Sequence, residues 1–284
     1  MLSYRHAYHA GSHADILKHL VLMLCLEHMN TKEKAYTVVD THAGAGMYLL
    51  GTPQARQTGE YAEGIGRLWA RTDLPAPLGR LLAVLGAVNG DGRLQRYPGS
   101  PWIAAHLARP RDRLRFAELH PTDHALLRRT FAAQEPRVTV ERSDGLMLLK
   151  AALPPPSKRG LVLIDPSYEM KNEYLKVAQA IKDALQRFAT GTYLVWYPLL
   201  PLLEASQLPQ KLKKAGAGHW LQATLQVRSP SGESRGMRGS GMFVINPPWT
   251  LAAQLEQTLP FLANVLAQDA GATWQVDSFE QKTA

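Results

Sequence analysis

The chain has 284 residues, 45% hydrophobic and 20% charged, a balance that argues against intrinsic disorder and allows one large domain or one domain with an insertion. Lys and Arg number 32 against 24 Asp and Glu, and the resulting charge of +8 points to a polyanionic partner, nucleic acid before others. The single cysteine, Cys25, excludes an internal disulfide and a cysteine-based zinc site.

Along the chain, the opening MLSYRHAYHAGSHAD is rich in His and lacks the apolar core of a signal peptide, so a cytoplasmic location is expected. Ala14–Met29 has a helical pattern, and Lys18, His19, Glu27 and His28 interrupt its apolar run. The run Tyr193–Leu203 is shorter than the ~20 residues of a membrane span and contains Pro198 and Pro201, so no membrane segment is expected. Short β-rich runs follow one another: Tyr36–Asp40, Leu114–Glu118, Arg137–Glu141, Leu161–Asp165, Thr192–Tyr197, Leu221–Val227 and Met242–Asn246. Helical patterns at Pro121–Gln134, Asn172–Phe188 and Pro201–Ala215 separate several of them. Alternation of this kind predicts a doubly wound α/β fold with a mostly parallel, seven-stranded sheet.

The first two strands lie too far apart for an ordinary crossover. Between them, Thr58–Arg71 and Pro75–Val88 read as amphipathic helices bounded by turn signals, so 52–96 is expected to be a helical insertion. The remaining divisions are 1–51, an N-terminal arm with the first part of the sheet domain, and 97–284, its remainder.

The strand ends carry the chemistry. Asp40-Thr41-His42-Ala43-Gly44-Ala45-Gly46 leaves a buried strand through a glycine turn, where a backbone can approach a ligand closely, and a helix is expected after it. Leu49 stands where a nicotinamide fingerprint needs its third glycine. Glu118, at the tip of the second strand, can accept both hydroxyls of a ribose. Asp144, in Ser143-Asp144-Gly145, can accept an adenine amine, although Asp-Gly is also ordinary turn chemistry. Carboxyl ends of successive strands are where open α/β sheets bind ligands.

The fourth strand runs into Asp165-Pro166-Ser167-Tyr168, which resembles the [D/N/S]-P-P-[Y/F/W] tetrapeptide of S-adenosylmethionine-dependent amino-methyltransferases. An exocyclic adenine amine is a poor nucleophile because its lone pair is delocalised into the ring. An acceptor side chain (Asp165) and a backbone carbonyl (Pro166) can hold its hydrogens and favour a tetrahedral nitrogen, while Tyr168 offers a stacking face. Positioning carries most of such a reaction, and neither metal nor covalent enzyme intermediate is required. Asn246-Pro247-Pro248-Trp249 matches the tetrapeptide more closely. It follows the last strand, which in sheets of the methyltransferases that the motif resembles runs antiparallel to the rest, so the resemblance assigns it to the opposite edge from the cofactor.

With these motifs, the run from Tyr4 to His19, Thr58–Gly64, Tyr97–Pro101, Glu118–Pro121, Arg187–Pro198 and Arg235–Trp249 make the chain resemble, over essentially its whole length, the RlmJ family of bacterial 23S ribosomal RNA adenine-N6-methyltransferases. The resemblance implies a Rossmann-like S-adenosyl-L-methionine-dependent fold, 23S ribosomal RNA as partner, and a monomer without metal. It implies a cofactor site of His19, His42, Gly44, Ser100, Glu118, Asp144 and Gly145, catalysis at Asp165, Pro166 and Tyr168, and RNA contact by Tyr4, His6 and Lys18. Relatives carry a second proline where this chain has Ser167.

Two other readings remain at this point: a non-catalytic nucleic-acid binder on a methyltransferase scaffold, and a DNA adenine-N6-methyltransferase. His9 and His13 share helical i, i+4 spacing but lack the Glu of a zinc motif, and packing of the N-terminal arm over the site is the expected role. Arg5, Lys18, Arg67 and Arg71 are the cations expected to face RNA phosphates.

Overall fold

The acid-tipped apolar runs become neighbouring parallel strands. In a computed structural model, which describes residues 5–216, 218–229 and 236–281, β1 (Thr37–Asp40) pairs with β4 (Arg113–Ala117) on one side and β6 (Gly160–Ile164) on the other. Outside these lie β5 (Val138–Glu141) and β7 (Thr192–Leu199), also parallel. Every residue of β1 and β6 is buried, as strands covered by helices on both faces must be. Beyond β7 the sheet turns antiparallel through β9 (Gly239–Ile245), β8 (His219–Gln226) and β10 (Thr273–Glu280).

The sheet order is β10-β8-β9-β7-β6-β1-β4-β5, eight strands rather than the seven predicted. The extra strand is the edge strand β10, sequence TWQVDSFE. It pairs with β8 alone and leaves most of its residues exposed, so it lacks the apolar run that marks the inner strands.

The glycine turn after β1 leads into a strand, not the expected helix. β2 (Met47–Leu49) pairs antiparallel with β3 (Arg96–Pro98), and Gly99 N–H donates to Gly46 O at 3.0 Å. This small ladder closes the stem of segment 52–96 and returns the chain beside the place it left. The crossover helix is then α6 (Ser100–Leu107).

Segment 52–96 holds α2 (Pro53–Thr58), α3 (Glu60–Glu63), α4 (Gly66–Trp69) and α5 (Ala76–Gly86). The predicted helix over Thr58–Arg71 breaks at Gly59, where α2 ends in a left-handed turn, and again at Gly64, because the N-terminal arm packs there. A Cβ on Gly64 would stand 2.1 Å from Gly11 O, and Ile65 N–H donates to that carbonyl at 2.9 Å. Leu68, Leu78, Leu81 and Leu85 share one apolar core with α1 (His13–Asn30), α6, α7 (Pro121–Phe131) and α11 (Leu251–Val265). A second core under the other sheet face takes α8 (Gly145–Ala152), α9 (Asn172–Arg187) and α10 (Leu203–Lys213). Among the described residues no helix is long and apolar enough to cross a membrane. Helix α1 is buried on nearly every side, which places Lys18, His19 and Cys25 in the interior.

Candidate active site

A cleft of about 360 Å³ opens along the carboxyl edge of the parallel strands. All seven residues expected to hold a cofactor line it: His19, His42, Gly44, Ser100, Glu118, Asp144 and Gly145. His6, Lys18, Asp165, Pro166 and Ser167 line it too. Tyr4 lies outside the described residues.

The glycine turn is built by close approach. Gly44 has φ +61°, and a Cβ there would meet the Tyr48 hydroxyl at 2.2 Å. Glu118 accepts from Gly44 N–H at 2.8 Å and from His120 N–H at 2.6 Å, so one carboxylate fixes both the turn and the start of α7. Burial pushes its carboxyl up, against those two N–H donors. Asp144 caps α8 with Oδ1, accepting from Leu146 N–H at 2.9 Å. Gly145 lets the first turn of α8 lie on Thr41, whose carbonyl would stand 1.8 Å from a Cβ.

Two histidines present neutral imidazoles. Burial holds His42 down to about 4. Thr41 Oγ1 donates to Leu163 O at 3.1 Å, so His42 Nδ1–H donates to Thr41 Oγ1 at 2.8 Å and Nε2 remains an acceptor. His19, held down to about 3 by burial, bonds the Tyr97 hydroxyl through Nδ1 at 2.9 Å. Ser100 donates to Asp40 Oδ2 at 2.6 Å, and burial pushes Asp40 up to about 7.

His19 Nε2 and Ser143 Oγ are buried on the cleft wall with no hydrogen-bond partner among the described residues. The wall also carries Glu118, Asp123, Asp144, Asp165 and Glu173 against Lys18 and Lys176. An acidic cleft with unsatisfied polar atoms and a ribose-sized acceptor at Glu118 fits a cationic nucleoside such as S-adenosylmethionine.

Asp165 meets the N-terminal arm through Lys18. Lys18 Nζ lies 2.5 Å from Asp165 Oδ2 and 2.8 Å from Asp15 Oδ1. Burial pushes Asp165 up and Lys18 pulls it back. Burial opposes the charge of Lys18, but the two carboxylates outweigh it and hold the ammonium above its ordinary value. The arm is tied down by His6 to Asp15 at 2.9 Å, His9 to Glu60 at 2.8 Å and Arg5 to Asp123 at 3.1 Å. His13 is buried. Among the described residues no group of three or more His, Cys, Asp or Glu is arranged to hold a metal ion.

Tyr168 does not line the cleft. It adopts φ +53°, its hydroxyl donates to Trp196 O at 2.8 Å, and its ring stacks on Tyr174 with centroids 4.4 Å apart. With Tyr48, Trp196 gives the cleft wall its aromatic rings, and Trp196 is the one beside the motif. Its place on a strand behind the motif gave no sequence signal. The cations expected to face phosphates are engaged elsewhere: Arg5 and Lys18 as above, Arg67 with Glu63 and the Ala267 carbonyl, Arg71 with Asp73. Lys176 lines the cleft and makes no ion pair among the described residues.

The second tetrapeptide sits at the other edge. β9 runs against β7, so Asn246 arrives beside the start of β7 and donates through Nδ2 to Ala189 O and Gly191 O, at 2.8 and 2.7 Å. Its amide closes a turn, and Trp249 is 83% exposed.

Residues 33–278 match a family described as "Ribosomal RNA large subunit methyltransferase D, RlmJ". The chain is 47% identical over 278 residues to ribosomal RNA large subunit methyltransferase J of Haemophilus influenzae, covering 98% of each chain. It is 48% identical over 266 residues to the Escherichia coli protein of the same name, covering 94% of each. A crystal structure of a Legionella pneumophila protein superposes with a TM-score of 0.87 at 35% identity, covering 95% of this chain and 98% of that one.

Proposed function

The chain belongs to the RlmJ family of ribosomal RNA large subunit methyltransferases, and we propose that it moves a methyl group from S-adenosylmethionine to the exocyclic N6 of one adenine in 23S ribosomal RNA. The products are N6-methyladenine and S-adenosylhomocysteine. The observation that carries this reading is Asp165 and Pro166, after β6, on the same cleft wall as Glu118 and Asp144, after β4 and β5, at one edge of the parallel strands.

Glu118 would hold the ribose and Asp144 the adenine amine of the cofactor. Ser100, whose hydroxyl is held by the Asp40 carboxylate behind the wall, would face its ammonium, with His19, His42 and Gly44 completing the wall. When bound, S-adenosylmethionine supplies an already activated methyl group on a sulfonium, so no metal is assigned. Asp165 Oδ2 is occupied by Lys18, which leaves Oδ1 and the Pro166 carbonyl to accept the N6 hydrogens of the substrate. As N6 gains the methyl it becomes positive, and Asp165, whose proton affinity burial raises, takes the surplus proton at Oδ1. Tyr168 fixes the turn through Trp196, and the Trp196 ring gives the base its aromatic neighbour. His6, on the cleft wall, belongs to the substrate side, and segment 52–96 is an insertion subdomain that anchors the arm through Glu60. Ribosomal RNA as substrate supports a cytoplasmic enzyme, which we infer acts as a monomer.

Transfer of tritiated methyl groups to 23S ribosomal RNA lacking the modification tests the reading. We expect label recovered as N6-methyladenosine after nuclease digestion. No incorporation by a cofactor-binding protein would leave a non-catalytic binder, and preference for duplex DNA would move the activity to DNA.

A further inference from the structure

We propose that Asp15 is a positioning residue for methyl transfer: it balances the charge of Lys18, so that Asp165 keeps a net negative charge for the amine it holds. The proposal rests on the methyltransferase reading above. Three charged groups stand in a row in the interior. Asp15 Oδ1 is 2.8 Å from Lys18 Nζ, which is 2.5 Å from Asp165 Oδ2, and their side chains are 1%, 5% and 13% exposed. Asp15 and Lys18 share a face of α1 at i, i+3 spacing, while Asp165 comes from the far end of β6.

A buried lysine needs one carboxylate to stay charged, and a second buried acid adds a desolvation cost that an ion pair alone does not justify. The count explains the second acid. With the imidazole of His6 neutral, two carboxylates and one ammonium leave one negative charge, whereas Lys18 with Asp165 alone would leave none. Methyl transfer puts a positive charge on N6, and in a site of low dielectric a neutral pair would stabilise it far less than a net negative one. Asp15 is not on the cleft wall, so it acts through Lys18 and touches no reactant.

Asp15 has a second set of contacts that a purely structural role would use. Its Oδ2 accepts from Gly11 N–H and bonds His6 Nε2, both at 2.9 Å, which pins the arm. The test therefore separates charge balance from arm pinning by asking whether the effect of Asp15 requires Lys18.

The experiment is single-turnover methylation of unmodified 23S ribosomal RNA by the full chain, at saturating S-adenosylmethionine and RNA, with both affinities measured separately. We expect Asp15→Asn to slow the step roughly ten- to hundredfold with both affinities within about threefold of wild type. In a Lys18→Met background, where no charge remains to balance, adding Asp15→Asn should change the rate by less than about threefold. Asp15→Glu, which keeps the charge on a longer arm, should recover much of the rate and keeps the test open should Asp15→Asn fail to fold. Equal losses from Asp15→Asn in both backgrounds, a loss confined to binding, or an Asp15→Glu as slow as Asp15→Asn would overturn the proposal in favour of arm pinning. A wild-type protein that binds cofactor yet leaves the RNA unmethylated would instead refute the underlying reading, and the charge proposal with it.

Discussion

Replacing Glu118 with alanine separates two jobs done by one carboxylate. Its oxygens accept from Gly44 N–H at 2.8 Å and His120 N–H at 2.6 Å, and the lone pairs left over face the cleft where a ribose would sit. A hydrogen bond to a charged group contributes roughly 1.5–3 kcal/mol. Loss of the ribose contacts should therefore raise the cofactor Kd by about one to two decades. The two amides also lose their acceptor. Each would cost about 1–3 kcal/mol if left dry, but the cleft admits water, so we expect roughly 1–3 kcal/mol in total. For a domain of this size each kcal/mol moves the melting temperature by about 2–4 °C. Calorimetry with S-adenosylhomocysteine reads the first effect and a thermal melt the second. Glu118→Gln keeps one acceptor oxygen and should recover stability more than affinity. Unchanged cofactor affinity in a folded Glu118→Ala protein would remove Glu118 from the cofactor site and refute the reasoning.

Three further outcomes follow from the same geometry. Burial pushes Asp40 up to about 7, so its ionised form, which a cationic cofactor prefers, is lost as the pH falls through that value. Cofactor affinity should accordingly fall from pH 8 to pH 6. Asp40→Asn should flatten the profile, and a profile unchanged by that substitution would contradict the assignment. Lys176→Ala should lower the log–log salt slope of RNA binding by about 0.7–0.9 and Arg71→Ala should not, because Arg71 is paired with Asp73; equal slopes in both would refute this footprint. Ser167→Pro should preserve or raise activity, since neither the Ser167 hydroxyl nor its N–H makes a hydrogen bond among the described residues, and a stiffer turn is typically worth about 0.4–1 kcal/mol. A hundredfold drop in single-turnover rate, about 2.7 kcal/mol of barrier, would make Ser167 a working part of the site.

The inner sheet was legible because strands buried on both faces must be continuously apolar, and their acid tips then fell in order along one edge. β10 was not, since an edge strand with one partner needs no such run. The break at Gly64 depends on Gly11, a neighbour in space that periodicity within Thr58–Arg71 does not register. Gly44, Glu118 and Asp144 could be placed on one edge because they follow strands, whereas His19 on α1 and Ser100 at the start of α6 came only from the family resemblance. The resemblance put Lys18 near the RNA entrance; its partner Asp165 is 147 residues away in sequence, and only the fold brings them together. Tyr168 read as a stacking face from its motif, whereas a left-handed backbone turns its ring onto Tyr174. The choice between the two tetrapeptides rested on strand direction, which the antiparallel β7–β9 ladder supplies.

That methyl transfer occurs at Asp165 is tested most directly by comparing Asp165→Ala and Asn246→Ala with wild type in single-turnover transfer of tritiated methyl to unmodified 23S ribosomal RNA, with cofactor binding measured on each. We expect Asp165→Ala to lose transfer while still binding S-adenosylmethionine, and a folded Asn246→Ala to retain the chemical step. Retained transfer by Asp165→Ala, with loss in a folded, cofactor-binding Asn246→Ala, would contradict the assignment.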